Sequence, residues 1–390
     1  MFLFENTEIA FKYKSSNDLS RSYFIFKYLL SGYISIVGRK IIKFFLLLNV
    51  PIKWFIKPLI FRQFCGGESI SECEFIVKKL AEYNVKSILD YSIEAKSKIS
   101  EIDETFKETL KTIELSSKNE NISFAVFKPS AFASIECLEA ISDGKISTEI
   151  NQQFQNFVNK VEQLCNTACQ LNVRLLIDAE DFSFQSAVDS VVLEMMKKYN
   201  KEKVVVFNTL QMYRHDRLEY LNKLIEKAIT DKFHLGIKLV RGAYMERERE
   251  RANKYCYPSP ICSSKNETDI SFNNAVEICV KNLNIINLFC GTHNEESCMK
   301  LVNLMADNNI APNNNKIFFS QLYGMSDNIS FNLASQGYNV AKYIPYGPVN
   351  EVIPYLLRRA EENTSIKGQQ GRELQLVTKE IKRRKAHKII

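Results

Sequence analysis

Seven short apolar runs in this 390-residue chain end in polar or reactive side chains. Lys128 follows FAVF, Asp178-Ala179-Glu180 follows RLLI, and Asn208 to Gln211 follow VVVF. Lys238 to Tyr244 come after GI, Thr292-His293-Asn294 after Cys290-Gly291, Gln321-Leu322-Tyr323-Gly324 after FFS, and Tyr343 after VAK. A lysine at such a place can form a Schiff base, hold a phosphate or offset charge on an electron-rich cofactor, and spacing alone leaves all three open for Lys128 and Lys238. Asp178 is a candidate metal ligand or general base. Glu180 reads better as a helix cap or structural ion pair. His293 has no second histidine at a ligand spacing, so hydrogen bonding or stacking is the preferred role and no metal is expected. Gly242 in VRGAY either permits close backbone approach to a ligand or makes a tight turn. The thirteen glycines form neither GxGxxG nor GxxxxGK[ST], which removes the Rossmann crossover and the P-loop as nucleotide-binding devices.

A further candidate is PYLLRRAEEN, 354–363. Ion pairs of Arg358 with Glu361 or Glu362, and of Arg359 with Glu362, would make it a solvated helix face. Adjacent helix positions point about 100° apart, so the two guanidinium forks could instead converge on one carboxylate.

These groups need elements to position them. Eight runs qualify: SILDYS 87–92, SFAVFK 123–128, VRLLID 173–178, VVVFNT 204–209, LGIKLV 235–240, IINLFC 285–290, KIFFS 316–320 and NVAKY 339–343. They are near-continuously hydrophobic, as parallel strands covered on both faces are. Segments of helical periodicity such as 149–171 and 214–231 lie between them. Strand and helix alternating eight times predict an α/β fold, a (β/α)8 TIM-type barrel, with a doubly wound open sheet as the alternative. The expected division is an N-terminal helical arm over 1–84, the barrel over 85–365 and a basic tail over 366–390.

Composition narrows the classes. The net charge of +7 is spread over interleaved acids and bases, so no basic stripe points to nucleic acid. Ten cysteines without a CxxC suit a reducing compartment, with Cys165 and Cys169 at helical spacing in a core face. The first residues carry Glu5 and Glu8 and no apolar h-region, so neither a secretion signal nor a transit peptide is expected. Residues 41–62 are greasy, but Lys43, Lys53, Lys57, Pro51 and Pro58 interrupt them short of the roughly 18 residues a span needs. Two kinked amphipathic helices are expected there, packed on the core or, given Trp54 and the lysines, facing a membrane surface.

Together LVRGAY (239–244), GTHN (291–294), QLYGM (321–325) and YIPYG followed by PYLLRRAEEN (343–363) resemble the proline dehydrogenase family, with DAE (178–180) and NTLQMY (208–213) in the family's order. The likeness runs from about Gly66 to Asn363 and is closest to the single-function, bacterial-type form. It implies a distorted (β/α)8 barrel in which FAD oxidises L-proline to Δ1-pyrroline-5-carboxylate and a membrane quinone takes the electrons. That in turn implies a cytoplasmic protein with peripheral membrane contact, and region 36–62 is the candidate surface.

By the same resemblance Lys128 and Asp178 are the substrate-side charged pair, and Asp178 and Lys238 carry the catalytic roles. Leu322 and Tyr343 form an apolar and aromatic wall. Arg358 and Arg359 clamp the proline carboxylate, and Glu362 holds a guanidinium in place. Ala179, Gln211, Lys238, Val240, Gly242, Ala243 and Tyr244 match flavin-side positions. Thr292, His293 and Asn294 match the nucleotide end of FAD, with Lys265 at a phosphate. Two other readings stay open: a Schiff-base lysine aldolase or lyase on the same barrel, and a non-catalytic membrane-associated protein.

Overall fold

The computed structural model describes residues 4–29, 57–92, 99–352, 355–356 and 369–387. Eight strands appear where the apolar runs predict them: β1 (Val85–Tyr91), β2 (Ile122–Phe127), β3 (Arg174–Ile177), β4 (Val206–Gln211), β5 (Leu235–Val240), β6 (Ile286–Gly291), β7 (Ile317–Leu322) and β8 (Val340–Tyr346). They close into a barrel in chain order, which removes the open-sheet alternative. The chain divides into two compact units, Met1–Ser87 with Gln321–Ile390, and Ile88–Ser320.

In the unit Ile88–Ser320 the strand pairs from β2 to β6 are parallel. All six residues of β4 are buried, because its two faces meet the interior and a covering layer of helix. Asn200 fixes where β4 enters: its Oδ1 accepts from the backbone N–H of Val205 and Val206 at 2.9 Å each, and its Nδ2 donates to the Val206 carbonyl at 2.8 Å. The helix Thr148–Gln170 begins at Ser147, whose hydroxyl accepts from the Ile150 N–H, and it buries Phe157, Val161, Leu164, Cys165 and Ala168 along one stripe. Cys165 is thus core, Cys169 is half-buried, and all ten cysteines are free thiols.

An aromatic cluster fills part of this unit's interior. The Phe124 ring meets Phe289 and Phe318 edge-on at 5.0 Å and Phe207 at 5.6 Å. The Arg174 guanidinium lies 5.5 Å from the Phe124 centroid and 5.1 Å from that of Phe318, and donates to the Asn315 carbonyl at 3.0 Å. Such ring pairs contribute roughly 0.5–1.5 kcal/mol each beyond the area they bury.

In the other unit the helix Ser16–Phe24 opens on a reciprocal Ser15/Asp18 capping box. The segment expected as a basic tail contains a helix, Gln369–Ala386. Its Leu376 and Val377 pack with Ala10, Phe11 and Leu19 of the N-terminal helices, and Arg372 pairs with Glu5 at 2.5 Å. Both Lys342 of β8 and Lys14 reach Asp327 at 2.9 Å, and the Tyr13 hydroxyl donates to Asp327 at 2.8 Å. Burial would raise the Asp327 carboxyl, but the two ammonium groups outweigh it and hold it at about 2. Glu373 accepts from the Ser326 N–H, and burial, with Asp327 nearby, pushes its carboxyl up to about 7.

The expected amphipathic helices of 41–62 lie outside the described residues up to 56; Lys57–Phe61 forms a π-helical turn followed by the helical turn Arg62–Phe64. Among the described residues no helix is long and apolar enough to cross a membrane.

Candidate active site

β1, β2, β3 and β5 each bring one charged group to a common cluster. Asp90 is the penultimate residue of β1, Lys128 follows β2 directly, Asp178 follows β3 directly, and Lys238 lies within β5. The Lys128 ammonium donates to both Asp90 oxygens, at 2.8 and 2.9 Å, and stands 3.8 Å from Asp178 Oδ2. Lys238 Nζ donates to Asp178 Oδ1 at 2.6 Å. Asp178 therefore lies between two cations, and the four charges alternate in sign and sum to zero. Buried charges are tolerated when paired in this way, whereas a lone one would cost several kcal/mol. Asp178 is the most open member, its side chain 15% exposed against 3% for Asp90 and 8% for each lysine. Beneath Lys238, its register partner Phe289 offers a ring face 5.8 Å from Nζ.

Asp90 is absent from the candidates drawn from sequence, although it stands in SILDYS. One aspartate near a strand end resembles the opening of a turn. Only the position of Lys128 reveals its partner.

Glu180 is buried and does cap a turn, but not that of the following helix, Phe182–Tyr199, whose N-cap is Asp181. Its carboxylate accepts from the Ser130 N–H at 2.8 Å and the Ser130 hydroxyl at 2.7 Å, just after Lys128. Gln211, at the end of β4, donates from its side-chain amide to the Glu180 carbonyl at 3.0 Å, and Ala179 is half-buried between Asp178 and Glu180.

The turn after β5 carries Val240 to Tyr244. Gly242 has φ +124°, and a Cβ there would come within 2.4 Å of the Tyr213 ring. The space that a Cβ would need is thus taken by the Tyr213 ring. Ala243 is half-buried, and Tyr244 is buried at the N-cap of the helix Met245–Tyr255 with the Arg247 guanidinium 4.5 Å over its ring.

Arg241 is the residue of this turn that motif reading passes over. Its guanidinium donates to Asp269 at 2.8 Å, to the Thr292 hydroxyl at 2.6 Å and to the Ser297 hydroxyl at 2.9 Å, and stacks 4.5 Å over Phe272. Asp269 also takes Lys265 at 2.5 Å; burial would raise its carboxyl, but Lys265 and Arg241 hold it below the usual range. Asn294 caps the helix Glu295–Asp307 by accepting from the Ser297 N–H at 2.8 Å, and His293 is half-buried beside it. Val240, Arg241, Lys265, Thr292 and Asn294 are in this way gathered at the ends of β5 and β6. Among the described residues no group of His, Cys, Asp and Glu could hold a metal ion.

In the unit with the chain ends, Leu322 packs half-buried on a core that includes Phe64, Met325 and Leu356. Tyr343 is buried in β8, and its carbonyl accepts from the Tyr323 N–H at 2.8 Å. Arg358, Arg359 and Glu362 lie outside the described residues.

Comparison with known proteins bears on what these groups do. The model of the family described as proline dehydrogenase matches residues 75–372. "Proline dehydrogenase 1, mitochondrial" of Dictyostelium discoideum is 33% identical over 421 residues, 95% of this chain and 73% of that protein. "Carbapenem antibiotics biosynthesis protein CarD" of Pectobacterium carotovorum subsp. carotovorum is 35% identical over 321 residues, 82% of this chain and 83% of that protein. Among solved structures, proline utilization A (PutA) from Bdellovibrio bacteriovorus superposes with a TM-score of 0.73 at 19% identity, over 95% of this chain but 40% of that one. That last likeness speaks for the barrel. The family model covers most of the sequence, including β1 to β8 and the whole charged cluster: the chain belongs to the proline dehydrogenase family.

Proposed function

We propose that this chain oxidises L-proline to Δ1-pyrroline-5-carboxylate with FAD as the hydride acceptor, and that a membrane quinone receives the electrons. The observation that carries the reading is Asp178 held between Lys128 and Lys238 at the strand ends, in a chain of this family. FAD, when bound, takes a hydride from the unsubstituted ring carbon next to nitrogen, and the nitrogen gives up its proton as the C=N bond forms. Lys238 supplies fixed positive charge for the electron density that arrives, and burial over Phe289 keeps that charge weakly screened. Asp178, the most open of the four, is the candidate to hold the substrate's ring nitrogen. Arg358 and Arg359, with Glu362 behind them, would take its carboxylate, and Leu322 and Tyr343 its ring.

The donor set fits a dinucleotide. Arg241 and Lys265 are cations gathered on one carboxylate, the Thr292 hydroxyl is bound to that guanidinium, and Asn294 opens a helix beside them. Ala179, Gln211, Val240, Gly242, Ala243, Tyr244 and His293 complete the candidate cofactor positions. The Schiff-base alternative is disfavoured because both lysines are ion-paired to carboxylates, whereas a nucleophilic amine must be uncharged.

Purified protein should be yellow and should bleach when L-proline is added anaerobically. A colourless protein whose lysine is trapped by borohydride in the presence of a carbonyl substrate would sink the reading in favour of the lyase. Peripheral membrane contact through 36–62 belongs to the same proposal, since the quinone is lipid-soluble. Charge reversal at Lys43, Lys53 and Lys57 should release the protein from anionic vesicles and slow quinone reduction; unchanged vesicle binding and turnover would remove that surface.

A further inference from the structure

The helix Phe182–Tyr199 starts without help from its own N-cap: Asp181 makes no side-chain cap bond, and its carboxylate pairs with Arg247 instead. The first N–H groups of a helix have no partner inside it, and that of Phe182 donates to Glu248 Oε1 at 2.7 Å. Arg247 and Glu248 are neighbours in the first turn of the helix Met245–Tyr255. Two consecutive residues after β5 thus clasp two consecutive residues after β3.

The two arms of the clasp are unequal. The Arg247 side chain is 57% exposed, so water screens its ion pair. Glu248 is 2% exposed, although it stands in ERERER, a run that reads as a solvated face. Among the described residues its Oε2 has no hydrogen-bond partner, which leaves the Phe182 N–H as the donor that the buried carboxyl serves. Burial pushes this carboxyl above its ordinary range, as does Asp181 nearby, against the pull of the Phe182 N–H, Arg247 and Arg214. From the side of β4, the Tyr213 N–H donates to the Arg241 carbonyl at 2.9 Å and pins the turn after β5 that far. Gly242, Ala243 and Tyr244 then lead into the helix that Glu248 ties to the β3 side.

We infer that Glu248 is a positioning residue: by accepting from the Phe182 N–H it fixes the turn of Gly242, Ala243 and Tyr244 against the turn of Asp178 and Ala179. It thereby sets the proposed cofactor positions relative to the carboxylate proposed to hold the substrate. The chemistry in this inference rests on the proposed proline oxidation, whereas the clasp does not.

The test compares Glu248→Met, which keeps the volume and removes the acceptor, with Glu248→Gln, which keeps an acceptor, both in the flavin-loaded protein. Misplacing reacting groups slightly is costly, so Glu248→Met should lower the limiting rate of flavin reduction by L-proline about tenfold. The KM for proline should change less than about twofold, and Glu248→Gln should keep both quantities within about twofold of wild type. Deuterium exchange over 179–184 and 242–247 should quicken about tenfold in Glu248→Met but not in Glu248→Gln, while β4 and β5 keep their wild-type rates. A wild-type reduction rate in Glu248→Met, a glutamine variant as slow as the methionine one, or faster exchange that spreads over β4 and β5 would each overturn the inference. Should Glu248→Met fail to fold, the wild-type protein decides: its Phe182 amide should exchange about a hundredfold more slowly than an unbonded amide, and one that exchanges as though unbonded overturns the inference. Wild-type protein whose flavin is not reduced by proline would refute the proposed function, and the exchange arm would still judge Glu248.

Discussion

Asp178 Oδ1 is 2.6 Å from Lys238 Nζ, and its Oδ2 is 3.8 Å from Lys128 Nζ. The two oxygens of one carboxylate are thus used differently, one tightly bonded within the protein and the other less closely engaged by Lys128. Removing Lys238 would take away the bonded partner and the positive charge together. Lys238→Met is expected to lower the flavin reduction potential and to slow flavin reduction by proline about tenfold or more, the scale of one charge-assisted hydrogen bond. Stopped-flow reduction and a redox titration read the two effects, and an unchanged potential and rate would take Lys238 out of the chemistry.

Arg358 and Arg359 are proposed to donate to the proline carboxylate. A hydrogen bond to a charged group is worth about 1.5–3 kcal/mol, so Arg358→Met or Arg359→Met should raise the KM for proline about tenfold or more while flavin content is retained. Lysine at either position should rescue only in part, because a point charge lacks the planar fork. Glu362→Ala should give a milder form of the same defect. If both arginine variants keep the wild-type KM and lose stability instead, the pair belongs to a solvated ion-paired helix face.

At Gly242 an alanine would place its Cβ 2.4 Å from the Tyr213 ring while keeping a φ of +124° that L-residues rarely adopt. Strain and overpacking together should destabilise the protein by roughly 2–4 kcal/mol. Urea unfolding checks the loss, and a variant with a wild-type midpoint would mean that Tyr213 moves aside without difficulty.

Glu373 gives a pH dependence of defined sign. Its carboxyl binds a proton more tightly when folded, at about 7, than at its ordinary 4.5, because burial and Asp327 oppose its charge. Its contribution to stability is present below about pH 4.5 and is lost as the pH rises through about 7. Glu373→Gln mimics the protonated form, so it should be nearly neutral at pH 5 and stabilising by roughly 1–3 kcal/mol at pH 8. Asp327, held at about 2 against an ordinary 3.8, behaves in the opposite sense and loses its contribution only in strong acid, so it leaves this window undisturbed. Unfolding free energies of the two proteins at pH 5 and pH 8 decide it; a difference that does not grow with pH would refute the assignment.

Strand positions were legible because parallel strands dry on both faces must be apolar almost throughout, as in VVVFNT and LGIKLV. Helix limits were legible to within a few residues: 149–171 is Thr148–Gln170, whereas 214–231 begins only at Arg217. Arg214 is held out of that helix by an antiparallel bridge to Ile261, a contact 47 positions away that no local pattern announces. Lys128, Asp178 and Lys238 could be picked as strand-end groups. Their pairing could not, because it depends on which strands are neighbours and how far each one reaches. Asp90, Arg241 and Lys342 share that difficulty: each is a polar residue inside or beside an apolar run, and each takes its meaning from a partner distant in sequence.

The guanidinium of Arg174, Phe124 and the three phenylalanines around it join β2, β3, β4, β6 and β7 through side chains as well as through backbone ladders. Opening any one of these strands would expose ring surface on several others at once, so their amide protons should exchange with deuterium only in the rarest, most extensive openings. The turn Val240 to Tyr244 lies outside this ring cluster and is held instead by the polar links of Arg241, so it should exchange through smaller openings. Lys128 and Asp178, which follow β2 and β3 directly, are thereby anchored beside the slowest-exchanging strands, while the turn that carries Gly242 keeps a faster clock.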